Sequence, residues 1–364
     1  MLDFTSSLYL GLRHPSWSLP PWQALTLGKP AALESPPGMR RLERELAALT
    51  GCDDVLLASS TLHAFVDLFA TLAARDTAIV LDRSSYPVAH WAARLAAVSG
   101  SPVIVLGGHG PEEMTEEMKR ALCRSPAARP VIVTDGISPA TGMASPIASY
   151  ADIAAERGGL LVVDDTQALG ILGEAASRSA PYGIGGGGSL RHAEVRSDKV
   201  VVVNSLAKAF GVPVAMVGGS HTLIAKLRRN SLMRVHCSPP SMAAIGAAAR
   251  ALQQNHRHGE ALRARLAHNV ARLRRALTSL GLAASRSLFP VQPLRLPQGM
   301  AAPVQSRLLR RGVRAVLQGR SPSRARVSFL LTARHAPNDI DEAIERLTWA
   351  TDLAAPANDR SQRL

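Results

Sequence analysis

The chain has 364 residues, of which 46% are hydrophobic, and its formal net charge at pH 7 is +14. A chain of this length and composition can bury a large core and form one large and one small domain. The charge does not indicate a nucleic-acid-binding protein, because the arginines are spread along predicted helices and only 4% of the residues are aromatic.

The cysteines and the apolar runs exclude two further classes. Cys52, Cys123 and Cys237 are too few and too scattered for a disulfide framework, and they lack metal-ligand spacing. No run approaches the ~20 apolar residues of a membrane span, and the first residues lack the basic and apolar regions of a signal peptide. We therefore predict a cytoplasmic enzyme with no bound metal and no membrane partner.

Predicted helices and strands alternate along the first two thirds of the chain. Residues 39–51 have the apolar spacing of an amphipathic helix that ends at a glycine. Short β-rich runs follow, separated by helical segments, over residues 77–82, 102–108, 129–136, 160–165, 199–205 and 215–219. Alternation of this kind predicts a mostly parallel sheet covered by helices on both faces.

The last third of the sequence predicts a smaller α+β domain. A helical stretch over 241–280 precedes predicted strands near 291–296, 314–317 and 326–331 and a last helix over 339–353. The glycine run at 183–188 predicts a flexible loop. We predict four segments, which are an N-terminal segment (1–36), a large domain (37–238), a small C-terminal domain (239–354) and a disordered tail (355–364).

One lysine, Lys208, lies where an apolar strand breaks into a glycine-containing turn. Arginine supplies most of the positive charge of this chain, so a lysine inside an apolar segment calls for a chemical reason. A desolvated amine can lose its proton and form a Schiff base, which an arginine cannot do. Taken alone, Lys208 fits equally well a lysine that extends its charged head into water from a strand end.

A second signal lies upstream, where an apolar run ends in Asp164 and Asp165. Such a run predicts a buried parallel strand, and open α/β sheets place ligands at the carboxyl ends of their strands. A carboxylate there can bond the ring nitrogen of pyridoxal phosphate and keep it protonated, although it can also cap a helix or bind Mg²⁺. Asp164 and Lys208 together favour the pyridoxal phosphate interpretation.

Several blocks of the sequence resemble, in the same order, the α-oxoamine synthase family of fold-type I pyridoxal phosphate enzymes, within the class I/II aminotransferase superfamily. They are LDFTSSLYLGL (2–12), VLLASSTLHA (55–64), LDRSSYPVAHWAA (81–93), VTDGISPATGMASP (133–146), VVDDTQALGILG (162–173), NSLAKAFG (204–211), CSPPS (237–241), FPVQPL (289–294) and VSFLLTARH (327–335). The resemblance implies an α/β fold-type I transferase. It also implies a homodimer whose active site is shared, with a contribution from the N-terminal segment.

The resemblance implies catalytic roles for three residues. Lys208 corresponds to the lysine that binds the cofactor covalently, and Asp164 corresponds to the partner of the ring nitrogen. Tyr86 falls where the family keeps the aromatic residue that stacks on the ring, usually a histidine. Because Tyr86 precedes a proline, it also fits an ordinary turn.

Hydroxyl groups match the phosphate-binding positions of the family. Ser59, Ser60 and Thr61 lie where a strand ends and a helix begins, so that hydroxyls and free backbone amides can hold a phosphate. Ser205 matches a further phosphate-binding hydroxyl. A Ser-Ser-Thr run is equally an ordinary helix cap. Asp135, at the end of a strand, is the remaining cofactor-binding candidate in this group.

The sequence departs from the family on the substrate side. Ser7 and Ser328 replace an asparagine and an arginine that bind the amino-acid carboxylate in the family, and a serine lacks the two-pronged donor of an arginine. Arg326 can compensate, because residues two apart on a strand share a face. Gln167 replaces a histidine near the 3′-oxygen of the cofactor. In the loop after Asp135, the family's Ser-Met-Asp becomes Pro139, Ala140 and Thr141.

The resemblance implies a decarboxylative condensation of an amino acid with an acyl thioester, and the departures on the substrate side point to a specialised biosynthetic pathway. The acyl group can arrive on coenzyme A or on an acyl carrier protein, and a basic surface suits either anionic partner. The change at Ser328 keeps open an aminotransferase, or another reaction on an amine without a carboxylate. A non-catalytic subunit with this fold is the third alternative.

Overall fold

The computed structural model describes residues 1–74, 76–107, 111–124, 129–138, 142–196, 198–319 and 325–352. The substituted loop residues Pro139, Ala140 and Thr141 and the predicted tail over 355–364 lie outside these ranges. The contacts within the chain define two compact units. The larger unit contains Leu12–Ser138 and Ala144–Glu260, and the smaller contains the described parts of Met1–Gly11, Pro139–Met143 and Ala261–Leu364.

The larger unit is built around a 7-stranded sheet. Its strands are β2 (Asp54–Ala58), β3 (Thr77–Asp82), β4 (Val103–Leu106), β5 (Arg129–Asp135), β6 (Leu160–Asp164), β7 (Val200–Ser205) and β8 (Ala215–Gly219). They lie in the order β2-β8-β7-β6-β5-β3-β4. Strand β8 is antiparallel to both neighbours, and the other pairings are parallel. This arrangement confirms the predicted mostly parallel sheet.

The central strands are apolar almost throughout because they are covered by helices on both faces. Val201 and Val203 of β7 are fully buried and belong to one hydrophobic cluster with Phe65 and Leu68. Phe65 and Leu68 lie on a helix that begins at Thr61, just after the end of β2. Burial of that apolar helix face fixes the start of the helix beside the carboxyl ends of the strands.

The helices of the larger unit connect the strands in the order that the sequence predicts. They are α1 (Met39–Thr50), α2 (Thr61–Leu72), α3 (Pro87–Val98), α4 (Pro111–Cys123), α5 (Ile147–Ala155), α6 (Ser189–His192), α7 (His221–Asn230) and α8 (Leu232–His236). A long helix, α9 (Met242–Ser279), follows, and the division between the two units falls within it, after Glu260. The sequence-based prediction places the boundary earlier, at 238/239.

The smaller unit contains a 4-stranded sheet and further helices. The elements are β1 (Leu2–Phe4), β9 (Val291–Pro293), α10 (Ala301–Arg310), β10 (Val313–Gln318), β11 (Arg326–Leu330) and α11 (Pro337–Asp352). The strands lie in the order β1-β10-β11-β9, in which β1 pairs parallel to β10 and the other two pairings are antiparallel. Phe4 of β1 packs edge-on against Phe329, with ring centroids 5.2 Å apart, so the first residues join the C-terminal part of the chain.

Within the ranges that the structure describes, no helix combines the length and the apolar character that crossing a membrane requires.

Candidate active site

Three polar residues mark the carboxyl edge of the larger sheet. Asp135, Asp164 and Ser205 are the last residues of the neighbouring strands β5, β6 and β7. Asp135 and Asp164 are direct partners in the parallel register of β5 and β6. The structure therefore gathers at one edge the side chains that the sequence predicts there.

Lys208 lies just beyond this edge, in the connection between β7 and β8. Its side chain is half-buried, and its Nζ is 5.9 Å from the centre of the Tyr86 ring. Burial lowers the pKa of Lys208, whereas the negative charges of Asp164 and Asp135 act in the opposite direction. A lowered pKa increases the fraction of neutral amine, which is the nucleophilic form.

The two carboxyl groups at the edge are buried and hydrogen-bonded to backbone amides. Thr166 N donates to Asp164 Oδ1 over 3.1 Å, and Tyr86 N donates to Asp135 Oδ1 over 3.2 Å. Burial raises the pKa of Asp164, and hydrogen bonds from Thr166 oppose that change. The pKa of Asp135 lies well above its usual value because of burial and, secondly, because of the charge of Asp164.

Tyr86 connects the edge to helix α3. It is the residue directly before α3, whose first residue is Pro87, and its side chain is 48% exposed. The bond from its backbone amide to Asp135 fixes the start of α3 against β5. An accessible aromatic ring beside a lysine amine can stack on a planar cofactor.

The hydroxyls at the start of α2 have defined partners. Ser60 is the N-cap residue, and its Oγ accepts a hydrogen bond from His63 N over 3.3 Å. Ser59 Oγ donates to Ser238 O over 2.6 Å. The sequence predicts Ser59, Ser60 and Thr61 as phosphate-binding residues. It does not indicate the hydrogen bond from Ser59 to Ser238 or the one from His63 to Ser60.

Ser205 is hydrogen-bonded to Thr166, which follows the end of the neighbouring strand β6. Its backbone amide donates to Thr166 Oγ1 over 3.0 Å, and its Oγ accepts from Ala207 N over 3.2 Å. Thr166 therefore contacts both Asp164 and Ser205, a linking position that the sequence analysis missed. Gln167, the next residue, is half-buried.

The predicted substrate residues Ser7, Arg326 and Ser328 belong to the smaller unit. Ser328 lies on β11 and is 1% exposed, and its Oγ has no hydrogen-bond partner among the described residues. Arg326 is exposed on the same strand. Ser7 is half-buried, and its carbonyl oxygen accepts from Tyr9 N over 2.8 Å.

The donor set of the larger unit fits pyridoxal phosphate. An amine with a lowered pKa can bind an aldehyde, a buried carboxyl group can pair with a ring nitrogen, and an exposed aromatic ring can stack. Serine and threonine hydroxyls at the start of a 12-residue helix suit the phosphate.

Comparison with known proteins agrees with this chemistry. The model of the family "Aminotransferase class I and II" matches residues 3–347. The chain is 32% identical over 329 residues to 8-amino-7-oxononanoate synthase of Halorhodospira halophila, which covers 88% of this chain and 76% of the relative. It is 30% identical over 360 residues to the enzyme of the same name from Sodalis glossinidius, which covers 96% of this chain and 88% of the relative.

Solved structures share the fold. Serine palmitoyltransferase of Sphingomonas wittichii superposes with a TM-score of 0.81 at 17% identity, covering 96% of this chain and 87% of that chain. 8-Amino-7-oxononanoate synthase of Francisella tularensis superposes with a TM-score of 0.74 at 20% identity, covering 97% and 98%.

The fold and the chemistry at the sheet edge are those of a fold-type I transferase that depends on pyridoxal phosphate. The family expected from the sequence is confirmed by the family model and the relatives. The chain belongs to the class I and II aminotransferase family, and within it to the α-oxoamine synthases.

Proposed function

We propose that this protein condenses an amino acid with an acyl thioester and releases CO₂ and the free thiol. The observation that carries this proposal is the meeting of Lys208, Asp164 and Asp135 at one sheet edge, in a chain whose relatives are 8-amino-7-oxononanoate synthases. The new bond joins the α-carbon of the amino acid to the acyl carbon. One proton is taken up for each CO₂ and thiol released.

Bound pyridoxal phosphate supplies an electron sink that stabilises negative charge at the α-carbon. The neutral amine of Lys208 would bind the aldehyde of the cofactor, and Nζ would then carry the proton to and from the α-carbon. Burial supports this role, because it lowers the pKa of the amine. Asp164 holds the ring nitrogen in its protonated form, and Thr166 N orients the carboxylate through Oδ1.

The remaining residues of the larger unit position the cofactor. Ser59, Ser60 and Thr61 bind the phosphate together with the first backbone amides of α2, and Ser205 Oγ adds a further hydroxyl. Tyr86 stacks on the ring, and Asp135 fixes Tyr86 through its backbone amide. Gln167 donates a hydrogen bond to the 3′-oxygen, but it cannot transfer a proton there.

The substrate residues are assigned from the sequence correspondence alone. Arg326 binds the carboxylate of the amino acid, because Ser328 and Ser7 lack the donors of the residues that they replace. A specialised amino substrate follows from these changes. The acyl donor is a thioester of coenzyme A or of an acyl carrier protein, to which the net charge of +14 gives electrostatic attraction.

We further propose a cytoplasmic homodimer with a shared active site. The segment 236–238 is the candidate donor to the phosphate of the neighbouring subunit. Mixing Lys208→Ala subunits with subunits altered only in this segment restores activity if the site is shared. Absence of recovery after verified subunit exchange contradicts the shared site.

Product analysis tests the reaction. Holoenzyme is incubated with single amino acids and an acyl-coenzyme A or an acyl carrier protein thioester, and CO₂ and free thiol are measured. Condensation releases both in equal amounts, and only when both substrates are present. Release of a 2-oxo acid without CO₂ would contradict the proposal.

Transamination is the second candidate, and the replacement of the family arginine by Ser328 is the observation that favours it. An amine without a carboxylate does not need that arginine. Transamination is identified if an amine transfers its amino group to a 2-oxo acid when no thioester is present.

A further inference from the structure

We infer that His63 is a further residue that binds the cofactor phosphate. It lies in the first turn of α2, three residues after the N-cap Ser60. The inference rests on the proposed assignment of this helix start to the phosphate. It adds a residue that neither the motif nor the sequence correspondence singles out.

The first observation is the orientation of the imidazole ring. His63 Nδ1 lies 2.9 Å from Ser60 Oγ, which itself accepts the backbone N–H of His63. When Nδ1 accepts from the Ser60 hydroxyl, the proton of the neutral ring resides on Nε2, and Ser60 then acts on the phosphate through the His63 ring and not through its own O–H. The ring is then a fixed donor at the start of a helix, where the backbone amides also favour an anion.

The second observation is a cavity of about 400 Å³ that His63 lines together with Ser59, Cys237, Ser238 and Ser241. Among the described residues that line it there is no carboxylate and no other basic side chain. Three of these residues offer hydroxyls. A cavity with hydroxyls, an imidazole and no carboxylate suits an anion such as a phosphate.

The acidic residue near His63 on α2 has hydrogen-bond partners of its own. Asp67 follows one turn later on α2, where its carboxylate accepts from Ser231 Oγ and, over 3.3 Å, from Met233 N. Within the described ranges, no ion pair joins Asp67 to His63. Asp67 thus fixes the start of α8 through Ser231 and Met233.

Comparison of two cofactor forms tests the assignment. Apoprotein is titrated with pyridoxal phosphate and with pyridoxal, which lacks the phosphate, and binding is followed by absorbance. His63→Ala raises the Kd of pyridoxal phosphate about ten- to a hundredfold and leaves that of pyridoxal within about twofold. His63→Gln, which retains an N–H donor, recovers part of the affinity.

A matched control is His221→Ala. His221 is exposed, and it is likewise in the first turn of a helix whose N-cap is a serine, Ser220. This variant leaves both Kd values unchanged. Equal losses for the two cofactor forms in His63→Ala, or no loss for either, would overturn the role of His63. A wild-type protein that binds neither form would overturn the proposed function itself.

Discussion

Asp135 and Asp164 lie directly opposite each other at the ends of two adjacent parallel strands. Both are buried, and their mutual repulsion adds to the effect of burial on the pKa of Asp135. The charge of Asp164 therefore favours the protonated form of Asp135, whereas the charge of Lys208 favours the ionised form of Asp164. The ionised form of Asp164 is the one that can pair with a protonated ring nitrogen.

Amide substitutions distinguish the two carboxyl groups. Asp135→Asn mimics the protonated acid and retains an oxygen for Tyr86 N, so we expect affinity for pyridoxal phosphate within about threefold of wild type. Asp164→Asn removes the charge that holds the pyridinium, and we expect affinity and activity to fall by about tenfold or more. Absorbance titration and product assays measure the two effects. Equal losses in the two variants would contradict this division of roles.

Lys208→Ala tests the attachment of the cofactor. We expect loss of the absorbance band of lysine-bound pyridoxal phosphate and loss of product formation, with unchanged circular dichroism. Lys226→Ala, on the exposed side of α7, retains the band. Borohydride reduction followed by peptide mapping identifies the modified lysine in the wild-type protein. A pyridoxyl group on Lys226 or Lys29 would refute the assignment.

The sequence predicts the parts of the site that depend on one local pattern. An apolar run that ends in a polar residue is visible without any partner, and for this reason Lys208, Asp164 and Asp135 are found at the edge where they are predicted. The links from Thr166 to Ser205 and from Ser59 to Ser238 join residues far apart in the chain. Such links depend on how the strands and helices pack.

Two features of the fold, β1 and the hydrogen bonds of the glycine run, are likewise not evident from the sequence. Strand β1 has only 3 residues, which is too short to show a periodic pattern, and its partner β10 begins at Val313. The glycine run at 183–188 predicts a flexible loop. In the structure Ile184 N donates to Glu174 O over 2.8 Å, and Gly188 N donates to Leu172 O over 2.8 Å.

Two glycines of this run differ in their surroundings. Both Gly183 and Gly185 have positive φ angles, of 75° and 87°. A Cβ at Gly183 would meet the carbonyl oxygen of Gly173 at 2.3 Å, whereas one at Gly185 would meet no atom within 4 Å. We expect Gly185→Ala to cost about 1 kcal/mol through backbone strain alone and Gly183→Ala to cost clearly more. Urea unfolding measures both, and equal costs would contradict a closely packed turn.

The buried carboxyl group of Asp165 should make the free energy of unfolding depend on pH. Burial raises the pKa of the Asp165 carboxyl group to about 7 from its ordinary value of 3.8. The folded state thus binds more protons than the unfolded state between these values, so the contribution of Asp165 to stability is present at low pH and is lost as the pH rises through about 7. The loss is on the order of a few kcal/mol.

Asp165→Asn removes this dependence. The amide oxygen can still accept from Ser189 N, which donates to Asp165 Oδ2 over 2.9 Å. We expect the difference in unfolding free energy between variant and wild type to change in favour of the variant from pH 5 to pH 8. Urea unfolding of the apoprotein measures it, with Asp53→Asn, at an exposed site, as the control. Parallel curves for Asp165→Asn and wild type would contradict the burial argument.

We propose that Arg326 binds the carboxylate of the substrate, because Ser328 stands where the family has an arginine. Its side chain is exposed and forms no ion pair with the residues that the structure describes. A charge-assisted bond contributes about 1.5–3 kcal/mol, so Arg326→Ala should raise the Kd of an amino-acid substrate by about ten- to a hundredfold. The same substitution should leave the Kd of the corresponding amine without a carboxylate unchanged.

The control is Arg314→Ala, which removes an exposed arginine on the neighbouring strand β10 and should change neither Kd. The change in cofactor absorbance on substrate binding gives both constants. Tight binding of the amino acid that Arg326→Ala does not weaken would mean that another residue holds the carboxylate.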